Sequence, residues 1–247
     1  MKIAVTGATG RLGRHIVDVL HERGHGAVPI SRSHGVDVIS GEGLDAALAG
    51  VDVVIDAATG PSADLREASE FFTTSARNLQ RAGERAGVRH IALVSIIGIE
   101  RFGGGYNRAK LVHEQALREG PLPVRILRAA QFHEFVAQLL DWGTQGEVAY
   151  VMPMRTQLVA ARTVAEALVD LATGDDPGVT VEIAGPRAED LVEMATLLAE
   201  KQGRAVKVEA FRNPDDTDAE LMATGALLPG PGTRLAGPTY ADWLAAV

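Results

Sequence analysis

TGATGRLG, residues 6–13, joins a short apolar run to a segment of helical period, and the reading of that junction decides the fold. The run before it, KIAVT (2–6), is too short for a helix and rich in β-branched residues, as a strand buried on both faces should be. After it, Leu12, Ile16, Val19 and Leu20 recur at i, i+4, i+7 and i+8, the stripe of a helix packed on a sheet, and Gly24 stands where a C-terminal cap belongs. A glycine turn between strand and helix aims the unpaired N–H groups of the helix start at a point beyond the strand end, which is how a dinucleotide pyrophosphate is held. Gly7 permits the tight turn, Gly10 lets the backbone approach the phosphates and Gly13 lets helix and strand pack closely, while Thr9, Arg11 and Leu12 complete the cradle. The spacing is G-x-x-G-x-x-G, and the alternative reading is a βα turn that is tight for packing alone.

The same rhythm continues outward. GAVPI (26–30), VDVVIDA (51–57), HIALVS (90–95) and VRILRA (124–129) read as further parallel strands, with VDVI (36–39) a weaker sixth, and helices are predicted over about 63–86 and 106–118. Strands alternating with helices require crossover connections, so the chain is predicted to be α/β, with a doubly wound parallel sheet of Rossmann type. Past residue 131 the rhythm loosens. TVAEALVDLA (163–172) opens with Thr163 and Glu166 in capping-box spacing, VTVEIAG (179–185) and AVKVEAF (205–211) read as strands, and AEDLVEMATLLAEKQG (188–203) reads as a helix. LLPGPGTRLAGP (227–238) is too rich in Pro and Gly for regular structure and is predicted to be a loop before a short terminal helix. The expected organisation is a nucleotide-binding core over 1–130 and a smaller substrate-binding lobe over 131–247 that returns at least one strand to the sheet.

Composition narrows the function. A formal net charge of −8 with scattered arginines offers no basic surface for phosphate neutralisation, so no nucleic-acid partner is expected. The chain has no cysteine, which removes disulfides, thiolate nucleophiles and Cys-type zinc sites together. No metal site is expected from histidine either: Gly24 separates His21 from His25, and His113 and His133 each precede a glutamate without the second histidine of a zinc-protease signature. The start of the chain shows no secretory leader and no apolar stretch reaches membrane-spanning length, so the expectation is a cytoplasmic protein with a small-molecule substrate, no membrane partner, and a monomeric or homodimeric state.

The end of the second strand bears on which dinucleotide is bound. A site for NAD normally offers a carboxylate there to the ribose 2′-hydroxyl, whereas this strand ends PISRS and puts Arg32 at the edge beside Ser31. An arginine fork suits a 2′-phosphate, and Arg11 lies in the glycine loop, so NADP(H) is preferred over NAD(H); the alternative is that both arginines are solvated surface residues.

Taken in order, TGATGRLG, VDVVIDAAT (51–59), HIALVSIIG (90–98), YNRAK (106–110), ILRAAQFHEF (126–135) and VEIAGP (181–186) span most of the chain and resemble the short-chain dehydrogenase/reductase superfamily, in particular its extended and atypical branch with the NmrA-like NAD(P)-binding proteins. The resemblance implies catalytic roles for Ser95, Tyr106 and Lys110. It also implies that Ala57, Ala58 and Thr59 line the adenosine and ribose side, that Lys110 anchors the ribose, that Gln131 and Phe132 flank the nicotinamide, and that Asp37 and Val38 match a pair touching adenine.

The chemistry accounts for these residue types. Carbonyl reduction needs a proton donor at the oxygen as hydride arrives at the carbon. A free phenol, with pKa about 10, is a slow acid–base near neutrality, and Lys110, one helical turn after Tyr106, is expected to lower it. Ser95 is suited to hold the substrate oxygen. Phe132, Phe135, Trp142, Tyr150, Met152 and Met154 suit either a hydrophobic ligand or the second lobe's own core. The expected function is NADPH-dependent reduction of a carbonyl, quinone or enone of a small hydrophobic substrate. The alternatives are a non-catalytic NADP(H) redox sensor and a sugar-nucleotide epimerase or dehydratase.

Overall fold

A computed structural model describes residues 1–175 and 179–247. The first half alternates as its sequence period predicts: β1 (Lys2–Thr6), α1 (Arg11–Glu22), β2 (Gly26–Ile30), a short α2 (Leu44–Leu48), β3 (Val53–Asp56), α3 (Leu65–Ala86), β4 (Ile91–Ile96), α4 (Gly105–Arg118) and β5 (Val124–Ala129). There follow α5 (His133–Gly143), the short strands β6 (Thr144–Gln145), β7 (Val148–Val151) and β8 (Arg155–Thr156), then α6 (Ala161–Thr173) and β9 (Thr180–Ala184). The chain closes with β10 (Glu189–Asp190), α7 (Leu191–Lys201), β11 (Lys207–Ala210), α8 (Ala219–Ala223), β12 (Arg234–Leu235) and α9 (Tyr240–Ala246).

Seven strands form the main sheet in the order β12-β9-β5-β4-β3-β1-β2. β1 pairs in parallel with β2 on one side and β3 on the other, β3 with β4, and β9 with β12. The order reverses beside β1, so the loops leaving β1 and β3 diverge from a switch point at their carboxyl ends, the place where doubly wound sheets bind ligands.

Two compact units are interleaved along the chain. The first comprises residues 1–95, 105–128 and 164–181, and the second 96–104, 129–163 and 182–247. The core of the first is built from Ala4, Val54, Ile91, Leu93 and Ile126 of the strands, with Leu79 of α3 and Leu117 of α4 laid on them. The second has its own core, in which Val136 and Leu140 of α5 meet Ala149 and Val151 of β7, Leu191 and Leu198 of α7, and Tyr240 of α9. A three-stranded sheet β11-β7-β6 belongs to this second unit.

Four local readings change. VDVI (36–39) is not a strand: the Val36 and Asp37 amides donate to the Ser31 and Glu42 carbonyls at 3.1 and 3.0 Å, the Asp37 carboxylate accepts the Ile39 amide at 2.7 Å, and Asn78 of α3 donates to the Val38 and Ile39 carbonyls at 3.0 and 2.8 Å, so the segment's hydrogen bonds go to local turns and side chains instead of a neighbouring strand. α6 starts at Ala161, two residues before Thr163, because the carboxylate of Glu134 on α5 accepts the Ala161 amide at 3.1 Å and supplies the cap from another helix. α7 starts only at Leu191, where Asp190 accepts from the amides of Val192 and Glu193. Within the Pro/Gly-rich 227–238 segment, Arg234 and Leu235 pair with Ile183 and Ala184 of β9, a two-residue strand too short to show a period.

The glycine loop folds as its spacing requires. Gly7 has φ +65°, and a Cβ there would lie 2.6 Å from the Ala57 carbonyl oxygen; a Cβ on Gly13 would lie 2.0 Å from the Gly7 carbonyl oxygen, backbone against backbone. Neither neighbour is a flexible side chain that can yield. Gly13→Ala is therefore expected to destabilise the fold by about 2 kcal/mol or more, whereas Gly26→Ala, where no atom lies closer than 3.8 Å, is expected to leave the urea midpoint within about 0.5 kcal/mol; equal midpoints for the two variants would contradict this packing.

Candidate active site

Three strands end where the site begins. Thr6 closes β1, Asp56 closes β3 in register with it, and Leu93 of β4 pairs with Asp56. Paired residues in a parallel ladder share a face and side chains alternate, so Ser95, two residues past Leu93, emerges on the same face as Asp56. α3 and α4 cover that face, as the core contacts of Leu79 and Leu117 show.

At the phosphate end, α1 begins with Gly10 as its N-cap, with no side-chain cap and no acidic residue in its first turn. The Gly10 amide is spent on the Gly7 carbonyl at 2.8 Å, so it is the first amides of α1, those of Arg11, Leu12 and Gly13, that present a positive helix end beside Thr9, with the close backbone approaches at Gly7 and Gly13 leaving no room for side chains. This cradle fits a dinucleotide. Across the switch point the turn after β3 is fixed by Thr6, whose Oγ1 accepts the amides of Ala57 and Ala58 at 3.2 Å each, so the backbone of Ala57 and Ala58 lies against Gly7, while Thr59 meets Tyr106. Arg32 is exposed in a short 3-10 turn after β2 and makes no ion pair among the described residues, while Ser31 Oγ contacts Ser33 Oγ at 2.9 Å and His34 Nδ1 at 2.7 Å. Arg11, the first residue of α1, is also exposed.

Around α4 the electrostatics differ from the sequence expectation. Tyr106 and Lys110 lie one turn apart on α4, and both pack on the ring of Phe72 from α3: the Tyr106 ring edge-on at 5.8 Å, the Lys110 ammonium 4.8 Å over the face. Lys110 does not lower the acidity threshold of the phenol. Burial and the nearby Asp56 carboxylate push Tyr106 above its ordinary pKa, against the opposing hydrogen bond with Thr59. The ammonium is engaged elsewhere, with Nζ 3.1 Å from Nδ1 of His113, whose Nε2 lies 3.0 Å from the Asp56 carboxylate. Burial brings Lys110 down to about 8, with Asp56 and Glu114 opposing.

Asp56 is the group that sequence reading missed, together with His113. Its Oδ1 accepts the Thr6 hydroxyl at 2.5 Å and the Ala58 amide at 3.1 Å. Burial alone would raise its pKa, but His113, Thr6 and Lys110 outweigh that and hold it down at about 2. Both residues carried a signal: an acid at the end of the apolar run VVID needs a buried partner, and His113 follows Lys110 at i+3 on one helix face. Ser95 is buried, and its Oγ has no hydrogen-bond partner among the described residues.

Gln131 and Phe132 belong to the second unit. Gln131 Oε1 accepts from Thr156 Oγ1, and Phe132 is the N-cap of α5 and bridges to Val159. The aromatic set divides. Met154 is core, and Phe135 and Met152 pack against it, whereas Trp142 and Tyr150 are 69% and 38% exposed and, with Phe211, edge a cavity of about 280 Å³ floored by Leu139, Met152 and Met222.

Residues 7–175 match the family described as NAD(P)H-binding. The chain belongs to that family. An NmrA-like branch of the extended short-chain dehydrogenase/reductases, which the sequence motifs resemble, fits this match. A curated relative, the photosystem II assembly factor Ycf39 of Synechocystis sp., is 28% identical over 236 residues, covering 84% of this chain and 70% of the relative. The fold is shared with the Citrobacter sp. triphenylmethane reductase complexed with NADP(H), at TM-score 0.67 and 21% identity over 92% of this chain and 91% of the other. It is shared also with the Bordetella bronchiseptica enzyme WbmH in complex with NAD⁺, at TM-score 0.75 and 17% identity over 99% and 96%. Among the described residues no helix is long and apolar enough to cross a membrane.

Replacing Asp56 tests the electrostatics of this NAD(P)H-binding protein. Asp56→Asn is expected to cost about 3 kcal/mol or more at pH 7, because it leaves the Lys110 charge buried without its counter-charge. A carboxyl whose folded pKa lies below its unfolded value contributes stability in full above about pH 4 and loses it as pH falls through about 2. The difference in urea midpoint between parent and variant is therefore expected to narrow as pH is lowered from about 5 to about 3; a constant difference would mean that Asp56 is not the ionised group described.

Proposed function

We propose that this protein is an NADPH-dependent oxidoreductase that reduces a carbonyl, quinone or enone of a small hydrophobic substrate. The observation that carries the proposal is the Ser95 hydroxyl, buried and unpartnered on the sheet face shared with α4. A buried hydroxyl without a partner costs about 1–3 kcal/mol, a cost relieved when it donates to a substrate oxygen.

When bound, the nicotinamide supplies hydride to the substrate carbon. Ser95 orients the oxygen, and Tyr106 donates its phenolic proton to that oxygen as negative charge develops there. The raised pKa of Tyr106 keeps the phenol protonated at neutral pH, which suits donation and therefore the reductive direction. Lys110, with one donor committed to His113 Nδ1, retains others for the cofactor ribose. Arg32, which makes no ion pair among the described residues and follows a β2 end that carries no carboxylate, supports a 2′-phosphate and so NADP(H) over NAD(H). The second unit by itself carries a cavity edged by Trp142, Tyr150 and Phe211, whose apolar lining suits a hydrophobic ligand.

A second reading, a cofactor-responsive protein without turnover, is favoured by the likeness to an assembly factor and by the unacidified phenol. The sugar-nucleotide enzymes among the solved structures are about 20% identical and support the fold alone.

NADPH oxidation across a panel of aldehydes, ketones and quinones separates the two readings. With a carbonyl substrate, Tyr106→Phe is expected to lower kcat by about 10²-fold or more while cofactor affinity is retained; a parent protein that binds NADPH yet turns over nothing favours the second reading. Arg32→Ala is expected to raise the KM for NADPH roughly tenfold and leave that for NADH unchanged; equal effects on both would remove Arg32 from the 2′-phosphate site.

A further inference from the structure

We propose that Asp56 and His113 are positioning residues for Lys110: a neutral imidazole with its proton on Nε2 bridges carboxylate to ammonium, clamping the lysine and keeping its charge inside the protein. The clamp itself is a statement about the folded chain; its consequence for turnover rests on the reductase reading.

Donor and acceptor chemistry fixes the tautomer. An ionised carboxylate only accepts, so the 3.0 Å contact between His113 Nε2 and Asp56 Oδ2 requires a proton on Nε2. An ammonium only donates, so the 3.1 Å contact between Lys110 Nζ and Nδ1 requires a bare nitrogen there. Both are met together by the neutral Nε2–H form, whereas an imidazolium would set an N–H against the ammonium. Burial and the Lys110 charge lower the imidazole's pKa in the same direction.

The groups facing Lys110 make its charge depend on this bridge. From α3 comes Phe72, which stacks on His113 at 4.4 Å and 13° and offers its ring face to the ammonium, an apolar wall with a modest cation–π attraction. From α4 itself comes Glu114, whose carboxylate is bound by Arg128 of β5 at 3.0 and 2.9 Å and so largely neutralised. From β3 comes Asp56, anchored by Thr6 of β1. Among the described residues, Lys110, 4% exposed, thus has in Asp56 the one nearby carboxylate not already paired with an arginine, reached through one imidazole. The proposed reductase accordingly loses its active-site cation above about pH 8.

The four lysines, Lys2, Lys110, Lys201 and Lys207, make the test direct. In protein labelled with ¹³Cε-lysine and ¹⁵N-histidine, the Lys110 signal is expected to titrate near pH 8, and His113 to show the neutral Nε2–H form at pH 7. His113→Leu is expected to lower the Lys110 midpoint by about one pH unit or more, since the desolvation remains and the acceptor is gone. His113→Gln, whose amide donates to Asp56 and accepts from Lys110, is expected to recover most of that drop. An unchanged midpoint in His113→Leu, a glutamine variant no better than leucine, or an imidazolium or Nδ1–H form in the parent would overturn the proposal. The parent tautomer and the glutamine variant decide it even if the leucine variant fails to fold. In turnover, the alkaline limb of the pH profile is expected to move with the Lys110 midpoint across the variants. A parent with no turnover but the expected titration and tautomer would sink the reductase reading and leave the clamp standing.

Discussion

The Asp56 carboxylate is a negative charge with no exposure to water, at the point where β1, β3 and α4 converge. Such a charge persists in a core only when its lone pairs are answered, and here a hydroxyl from β1, an amide from its own turn and an imidazole from α4 answer them. The turn after β3 is fixed to the end of β1, and α4 is held to the sheet at His113 in addition to its apolar contacts. The orientation of Tyr106 and Lys110 along α4 follows from that anchoring, because both lie on the turns that precede His113.

The two ends of the site are built from different materials. At the glycine loop the backbones of residues 7, 13 and 57 approach so closely that no Cβ fits at Gly7 or Gly13, and recognition is left to main-chain amides and the start of α1. At the carboxyl ends of β3 and β4 the polar groups are side chains: among the described residues Ser95 Oγ has no hydrogen-bond partner, and burial keeps Tyr106 a neutral phenol. A phosphate needs many equivalent donors in a fixed cup, whereas a reacting oxygen needs one donor of chosen acidity.

Local order was legible wherever a residue's structure depends on its sequence neighbours. The periods of KIAVT, VVID and the Leu12–Leu20 stripe carry their own burial pattern, so β1, β3 and α1 follow from them, and the glycine spacing follows from what a tight βα turn permits. Two of the failures share a cause. VDVI has strand composition, but Asn78, forty residues away, takes its carbonyls; Thr163 has cap spacing, but Glu134 from another helix caps first. In each case a partner remote in sequence supplied the hydrogen bond that local pattern had assigned nearby.

The sequence by itself determined the doubly wound sheet, the phosphate cradle and the turn spacing of Tyr106 and Lys110, because these depend on periodicity and on the steric demands of residues adjacent in the chain. Only the tertiary structure decided where the lysine's charge is spent, because a buried proton's position is set by every polar atom within reach. Those atoms, on Thr6, Asp56 and His113, arrive from three separate stretches of the chain.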